Sequence, residues 1–211
     1  MNTSLKSQAV TLKNIADFLG VADFLGVETN LDPKIFGITS NSSELKSGDL
    51  FVALPGAKVH GATFIDAALQ AHAGAVLTDE EGAGLVAGKL PTLVVSNPRQ
   101  ILGELASWFT SSPSNTFDLF GVTGTNGKTT VCTLLNQLWK ADNRITAQIG
   151  TLGVEIAGTV TKNTFTTPEA DQLQKIFQSA RNESVKSVAM EVSSIAIEMG
   201  RIKGSKFKLV A

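Results

Sequence analysis

The stretch FGVTGTNGKTTV, residues 120–131, decides how the chain is read. The widespread phosphate-loop pattern places a glycine five positions before a Gly-Lys-Ser/Thr triplet. Counting back five from Gly127 reaches Val122, and the glycines stand instead at Gly121, Gly124 and Gly127. A phosphate cradle needs backbone N–H groups converging on an anion, with glycine wherever a side chain would block the approach. It also needs the start of a helix, whose free N–H groups and dipole favour negative charge. A lysine must reach the outer phosphates and a hydroxyl must face Mg²⁺. All of these occur here in order. A strand over Phe117–Val122 leads to Gly124, Thr125, Asn126 and Gly127, followed by Lys128 and the hydroxyls of Thr129 and Thr130. Val131, Leu134, Leu135, Leu138 and Trp139 then follow the i, i+3, i+4, i+7, i+8 spacing. That spacing predicts a helix over Lys128–Ala141 with these residues as its core-facing stripe. The competing reading, a glycine turn with a surface lysine, does not account for strand, loop and helix arriving in this order. Cys132 reads as a small core residue rather than a nucleophile.

Working outward, the same alternation continues. A strand near 145–149, a helix from Pro168 to about Arg181, a strand in VKSVAMEV, a short helix and a final strand in KFKLVA follow the loop. Before it, Gly37–Ser40 and Leu50–Leu54 read as strands and residues 64, 65, 68 and 69 as one helical face ended by Gly74. AVLTD and PTLVVSN read as buried strands, and PRQILGELASWF as a helix opened by proline. Strands alternating with helices predict an α/β fold with parallel sheets covered on both faces. TSSPSNT, residues 110–116, breaks the periodicity and reads as a linker, so two domains are expected, 1–112 and 113–211. The chain stops within an apolar strand, which reads as a truncated second domain. An exact tandem repeat, ADFLGV at 16–21 and again at 22–27, reads as a small tolerated insertion near the first helix.

Composition sets the class. Charged residues are 18% of the 211, below the about 25% usual in soluble domains, as expected where wide apolar surfaces need covering. The net charge is −1 and basic residues are scattered singly, so no patch for nucleic acid or a membrane surface is written. No apolar run approaches the roughly 18 residues of a membrane span, and the first ten residues lack the apolar core of a secretion signal. With one cysteine there is no internal disulfide, and a cytoplasmic monomer is expected.

GVTGTNGKTT resembles the ATP loop of the Mur ligase family, in which a glycine and two residues precede G-T-N-G-K-S/T. The loop is therefore intact under its family's own spacing. TFTTPEADQLQKIF (164–177) and AMEVSSIAIEMGRI (189–202) resemble segments of MurE-type ligases, and 37–69 resembles their amino-terminal domain. The likeness runs from about residue 35 to the end. It implies a small amino-terminal α/β UDP-binding domain followed by a P-loop parallel-sheet ATPase domain, incomplete here. It also implies an ATP-dependent ligase of cell-wall peptidoglycan synthesis. Such an enzyme adds a diamino acid, meso-diaminopimelate or L-lysine, to UDP-N-acetylmuramoyl-L-Ala-D-Glu through an acyl phosphate. Without the family's later metal-binding histidine, carboxylated lysine and third domain, these residues alone are expected to be inactive. A folylpolyglutamate-type or different Mur-type ligase, and a non-catalytic nucleotide-binding remnant, are the competing readings.

The resemblance assigns ATP to Gly124, Thr125, Asn126, Gly127, Lys128, Thr129 and Thr130, with Lys128 on the phosphates. Mg²⁺ falls to Thr129 and Glu191, so that Lys128 and Glu191 form the catalytic pair. Ile38 and Ser40 would touch uridine, and Lys58 would approach the UDP diphosphate. Thr166, Thr167, Ser193 and Arg201 would bind the muramoyl-peptide. Each has a plainer alternative. Thr166 and Thr167 could cap the helix beginning at Pro168, and Ser193 the short helix after its strand. Glu191 could pair with a lysine, and Arg201 could be a surface charge. His60 and His72 read as ordinary histidines. Three positions depart from the family pattern: Ile195 where histidine is usual, Met199 where a polar residue can stand, and His60 for an acidic residue.

Overall fold

The computed structural model describes residues 10–21, 32–162 and 165–211. The chain forms two compact units, Met1–Arg99 and Gln100–Ala211.

In the first unit, β1 (Val10–Thr11) runs directly into α1 (Leu12–Leu19). Thr11 and Asn14 form a capping box, each side chain accepting the other's backbone N–H. Gly20, at φ 67°, closes the helix in the left-handed conformation that glycine adopts without strain. The first ADFLGV copy is thus the end of α1, and the second copy lies outside the described residues. β2 (Lys34–Ile35) pairs antiparallel with β1. β3 (Gly37–Thr39), β4 (Asp49–Val52), β5 (Ala75–Thr78) and β6 (Thr92–Val94) make a parallel sheet in that order. Every residue of β4 and β5 is buried, as a sheet covered on both faces requires. α2 (Ile65–Gln70) and α3 (Glu80–Val86) supply the crossovers, and Ile65, Ala68 and Val86 pack with Phe51 and Val76. His60 has a structural role. Its Nδ1 accepts the Ala62 N–H, so the ring proton sits on Nε2 and is donated to Asp79 Oδ1 at 3.0 Å.

α4 (Pro98–Phe109) carries the chain into the second unit, with Gly103 letting Lys203 approach closely. Residues 110–116, expected as a linker, are built into that unit. Arg181 donates to the Thr110 carbonyl at 3.0 Å, and buried Ser114 accepts the Lys206 N–H at 3.1 Å. β7 (Asp118–Val122), α5 (Lys128–Ala141), β8 (Thr146–Gly150), β9 (Gly153–Ile156), β10 (Thr159–Thr161), α6 (Ala170–Asn182), β11 (Ser187–Glu191), α7 (Ser194–Glu198) and β12 (Leu209–Val210) follow. The sheet order is β10-β9-β8-β11-β7-β12, with β8, β11, β7 and β12 parallel. The expected parallel sheet is present, and at one edge β9 and β10 add an antiparallel hairpin.

Alternation along the strands sorts the two faces. Leu119, Ile149, Val188 and Met190 pack with Leu173 and Phe177 of α6. Val122 and Ala189 pack with Cys132, Leu135 and Trp139 of α5. α5 has the expected span, but the expected stripe is corrected. Val131, Leu134 and Leu138 are 40%, 54% and 66% exposed, and the buried side is Cys132, Leu135, Asn136 and Trp139. Asn136 faces inward because it donates to Gln148 at 3.3 Å and Glu155 at 3.0 Å. A helical period identifies a stripe but not which face the sheet will cover.

Candidate functional site

The loop between β7 and α5 has the backbone that an anion cradle needs. Gly124 and Gly127 adopt φ of 133° and 82°, a region that residues with a Cβ rarely enter. Gly127 is the N-cap of α5 and provides no side-chain acceptor for the first-turn N–H groups. Lys128 Nζ folds back and donates to the Gly124 carbonyl at 2.7 Å, which keeps the ammonium over the loop. Thr129 is half-buried and Thr130 exposed.

Parallel strands put their carboxyl ends on one edge, and β11 pairs with β7 so that Glu191 stands opposite Val122, where the loop begins. Glu191 is 1% exposed. Thr151, just past the end of β8, holds both of its oxygens. The Thr151 N–H donates to Oε1 at 2.9 Å and the hydroxyl to Oε2 at 3.1 Å. Among the described residues Glu191 has no lysine partner, and its two oxygens go to Thr151 instead. It is a buried carboxylate whose oxygens accept from neutral donors, so its charge has no cationic side-chain partner among the described residues. Cys132 lies below this site as a buried thiol, pushed from an ordinary 9.0 up to about 12 by burial and then by the Glu191 charge. A thiol so placed stays protonated and is no nucleophile.

The four residues expected on the muramoyl-peptide are brought together. Thr166 Oγ1 lies 3.1 Å from Thr151 Oγ1. Thr167 is buried, donates to the Glu191 carbonyl at 3.0 Å and accepts the Ser193 N–H at 3.1 Å. Neither threonine caps α6, whose N-cap is Glu169 and whose first residue is Ala170, two beyond Pro168. Ser193 does cap α7, accepting the Ala196 N–H at 3.2 Å. Arg201 is no free surface charge. It pairs with Glu169 at 2.7 Å, donates to the Thr167 carbonyl at 3.1 Å and lies 4.6 Å from the Phe165 ring centroid. Thr151, Glu169 and Phe165 were not singled out from the sequence. Glu169 and Phe165 flank the quoted threonines, whereas only the position of Thr151 just beyond a parallel strand signals it.

In the first unit, Ile38 is buried in β3, Ser40 follows that strand half-buried, and Lys58 is exposed in the loop after β4. A cavity of about 230 Å³ beside the hairpin, lined by Asn136, Lys140, Gln148, Glu155 and Val160 among others, contains none of the expected site residues.

Two family models match the chain. Residues 34–110 match "Mur ligase family, catalytic domain" and residues 122–211 match "Mur ligase middle domain". The chain is 40% identical over 206 residues to a UDP-N-acetylmuramoyl-L-alanyl-D-glutamate–2,6-diaminopimelate ligase of Streptomyces coelicolor, covering 97% of this chain and 40% of the relative. A ligase of the same name from Corynebacterium efficiens is 40% identical over 210 residues, covering 98% and 40%. A solved structure with that enzyme name superposes with a TM-score of 0.78 at 26% identity, over 96% of this chain and 40% of the other. The MurF ligase of Thermotoga maritima in complex with ADP shares the fold, at TM-score 0.53 and 24% identity, over 75% of this chain and 32% of that one. This chain therefore spans about 40% of the length of the curated relatives it matches. With both models matched in order and the loop, Glu191 and the threonine–arginine cluster gathered on one unit, the chain belongs to the Mur ligase family.

Proposed function

We propose that this chain carries the ATP-binding and UDP-muramoyl-binding functions of an amide-forming ligase. That ligase would add a diamino acid to UDP-N-acetylmuramoyl-L-Ala-D-Glu in peptidoglycan precursor synthesis. The relatives' names specify 2,6-diaminopimelate as the amine. The observation that carries the reading is the convergence of the Gly124–Thr130 loop with Glu191 and the Thr166, Thr167, Ser193 and Arg201 cluster on neighbouring strand ends.

In the proposed reaction the free glutamyl carboxylate is phosphorylated to an acyl phosphate. The amine of the diamino acid then displaces phosphate. The loop N–H groups and Lys128 would hold the phosphates, and Arg201 and the two threonines would position the peptide carboxylate in line. Thr129 and Glu191 would hold Mg²⁺, which supplies charge neutralisation on the transferring phosphoryl group. No group of three or more His, Cys, Asp or Glu gathers among the described residues. Thr129 and Glu191 would supply part of the Mg²⁺ shell, and phosphate oxygens and water commonly fill other positions at phosphate sites. Ile38, Ser40 and Lys58 would meet the uridine and its diphosphate. No helix among the described residues is long and apolar enough to cross a membrane.

The experiment is calorimetric titration of the chain with UDP-N-acetylmuramoyl-L-Ala-D-Glu, alone and with a non-hydrolysable ATP analogue and Mg²⁺. Saturable binding weakened by Arg201→Ala supports the reading. No binding of the UDP-dipeptide under either condition overturns it.

A further inference from the structure

We infer that Thr151 is a positioning residue that sets the Glu191 carboxylate for a divalent cation and ties it to Thr166 on the peptide side. The inference rests on the proposed cation role of Glu191. Three observations meet at this residue. Its backbone N–H and its hydroxyl each take one oxygen of Glu191, at 2.9 and 3.1 Å, which fixes the rotation of the carboxylate plane. Its hydroxyl proton is then spent on Glu191, so at 3.1 Å from Thr166 the Thr151 oxygen acts as the acceptor. The resulting chain runs Thr166 to Thr151 to Glu191, each hydroxyl donating toward the charge. Third, Gly150 leaves the carboxylate its room, because a Cβ there would come within 2.7 Å of Glu191 Cδ. Strand β8 thus ends in a glycine that clears the carboxylate and a threonine that orients it.

The physical reason for such a device is the orientation of a buried ligand. A carboxylate 1% exposed cannot rely on water to hold its plane. Partners behind metal ligands hold them in place, and their loss typically lowers metal affinity by about 10–100-fold. Thr151 is itself exposed, so its substitution removes no core packing.

The test uses Mn²⁺ as the probe, followed by its electron paramagnetic resonance signal in the presence of a non-hydrolysable ATP analogue. The variants are Thr151→Val, Thr151→Ser, Thr151→Ala and Glu191→Gln. Thr151→Val keeps the shape and the backbone donor but loses the hydroxyl. It is expected to weaken Mn²⁺ binding about tenfold or more. Metal-free binding of the analogue should stay unchanged, and Thr151→Ser should restore the metal affinity. Thr151→Ala should match Thr151→Val and serves if the valine does not fold. Wild-type Mn²⁺ affinity in both hydroxyl-free variants, with Glu191→Gln weakened, overturns the role of Thr151 and leaves the cation reading standing. Wild-type affinity in Glu191→Gln as well overturns both. Failure of Thr151→Ser to restore binding also overturns the role, because the hydroxyl would then not be the feature that matters.

Discussion

Arg201 and Glu169 meet in a 2.7 Å ion pair that joins the turn after α7 to the N-cap of α6. The same guanidinium donates to the Thr167 carbonyl and covers the Phe165 ring, so one side chain organises residues 165–169. That requires a planar fork with several donors, which lysine does not have. Arg201→Lys and Arg201→Ala are both expected to loosen this segment, at about 1–3 kcal/mol for a partly buried charged hydrogen-bond set. Hydrogen exchange should accelerate at 165–169 while β7 and β11 keep their protection. Unchanged exchange in Arg201→Ala would show that the segment holds itself.

Gly150→Ala makes a separate prediction about the same carboxylate. Gly150 does not have positive φ, so alanine fits the backbone there and the conflict is with Glu191 alone. The carboxylate must swing away, and Mg²⁺-dependent strengthening of nucleotide binding is expected to fall about tenfold or more. Metal-free nucleotide binding should be retained. A variant that keeps full Mg²⁺ dependence would mean that Glu191 can move without consequence.

Cys132 gives a pH prediction with a definite sign. Its thiol is raised from 9.0 to about 12 in the folded chain by burial and by Glu191. The folded state therefore keeps a proton that the unfolded state loses above about pH 9. Stability from this group is fully present below pH 9 and is lost as pH rises toward 12, by at most about 1.4 kcal/mol per pH unit. Denaturant unfolding of wild type and Cys132→Ala from pH 8 to 11 should show the wild type losing more stability above pH 9. Parallel pH profiles would contradict the assignment. Thiol reagents at pH 8 should label Cys132 only after unfolding.

Much of this was legible in the sequence, for reasons that particular residues make plain. The Gly124–Lys128 loop and the span of α5 declare themselves locally, through glycine spacing and a 3.6-residue period. The exposure of Leu134 and Leu138 is not local. It depends on Asn136 finding Gln148 and Glu155 across the sheet face, which pulls that side of α5 inward. The β9–β10 hairpin turns at Ala157 and Gly158, both at positive φ, without the Asn-Gly or Asp-Gly pair that usually announces such a turn. Thr151 is one threonine among many until β8 and β11 lie side by side, which brings it onto a carboxylate 40 residues away in sequence.

The central claim is that residues 123–130 form a nucleotide cradle, and titration with a non-hydrolysable ATP analogue and Mg²⁺, in wild type and Lys128→Ala, tests it most directly. Among the described residues Lys128 donates to the loop carbonyls of Gly124 and Thr125 and packs in no core cluster. Its removal should leave stability within about 0.5 kcal/mol. Lost charge-assisted contact with phosphate, worth about 1.5–3 kcal/mol, should weaken the analogue roughly 10–100-fold. Saturable binding by the wild type, strengthened by Mg²⁺ and reduced in Lys128→Ala, is the predicted result. Equal affinity in the two proteins would contradict the account.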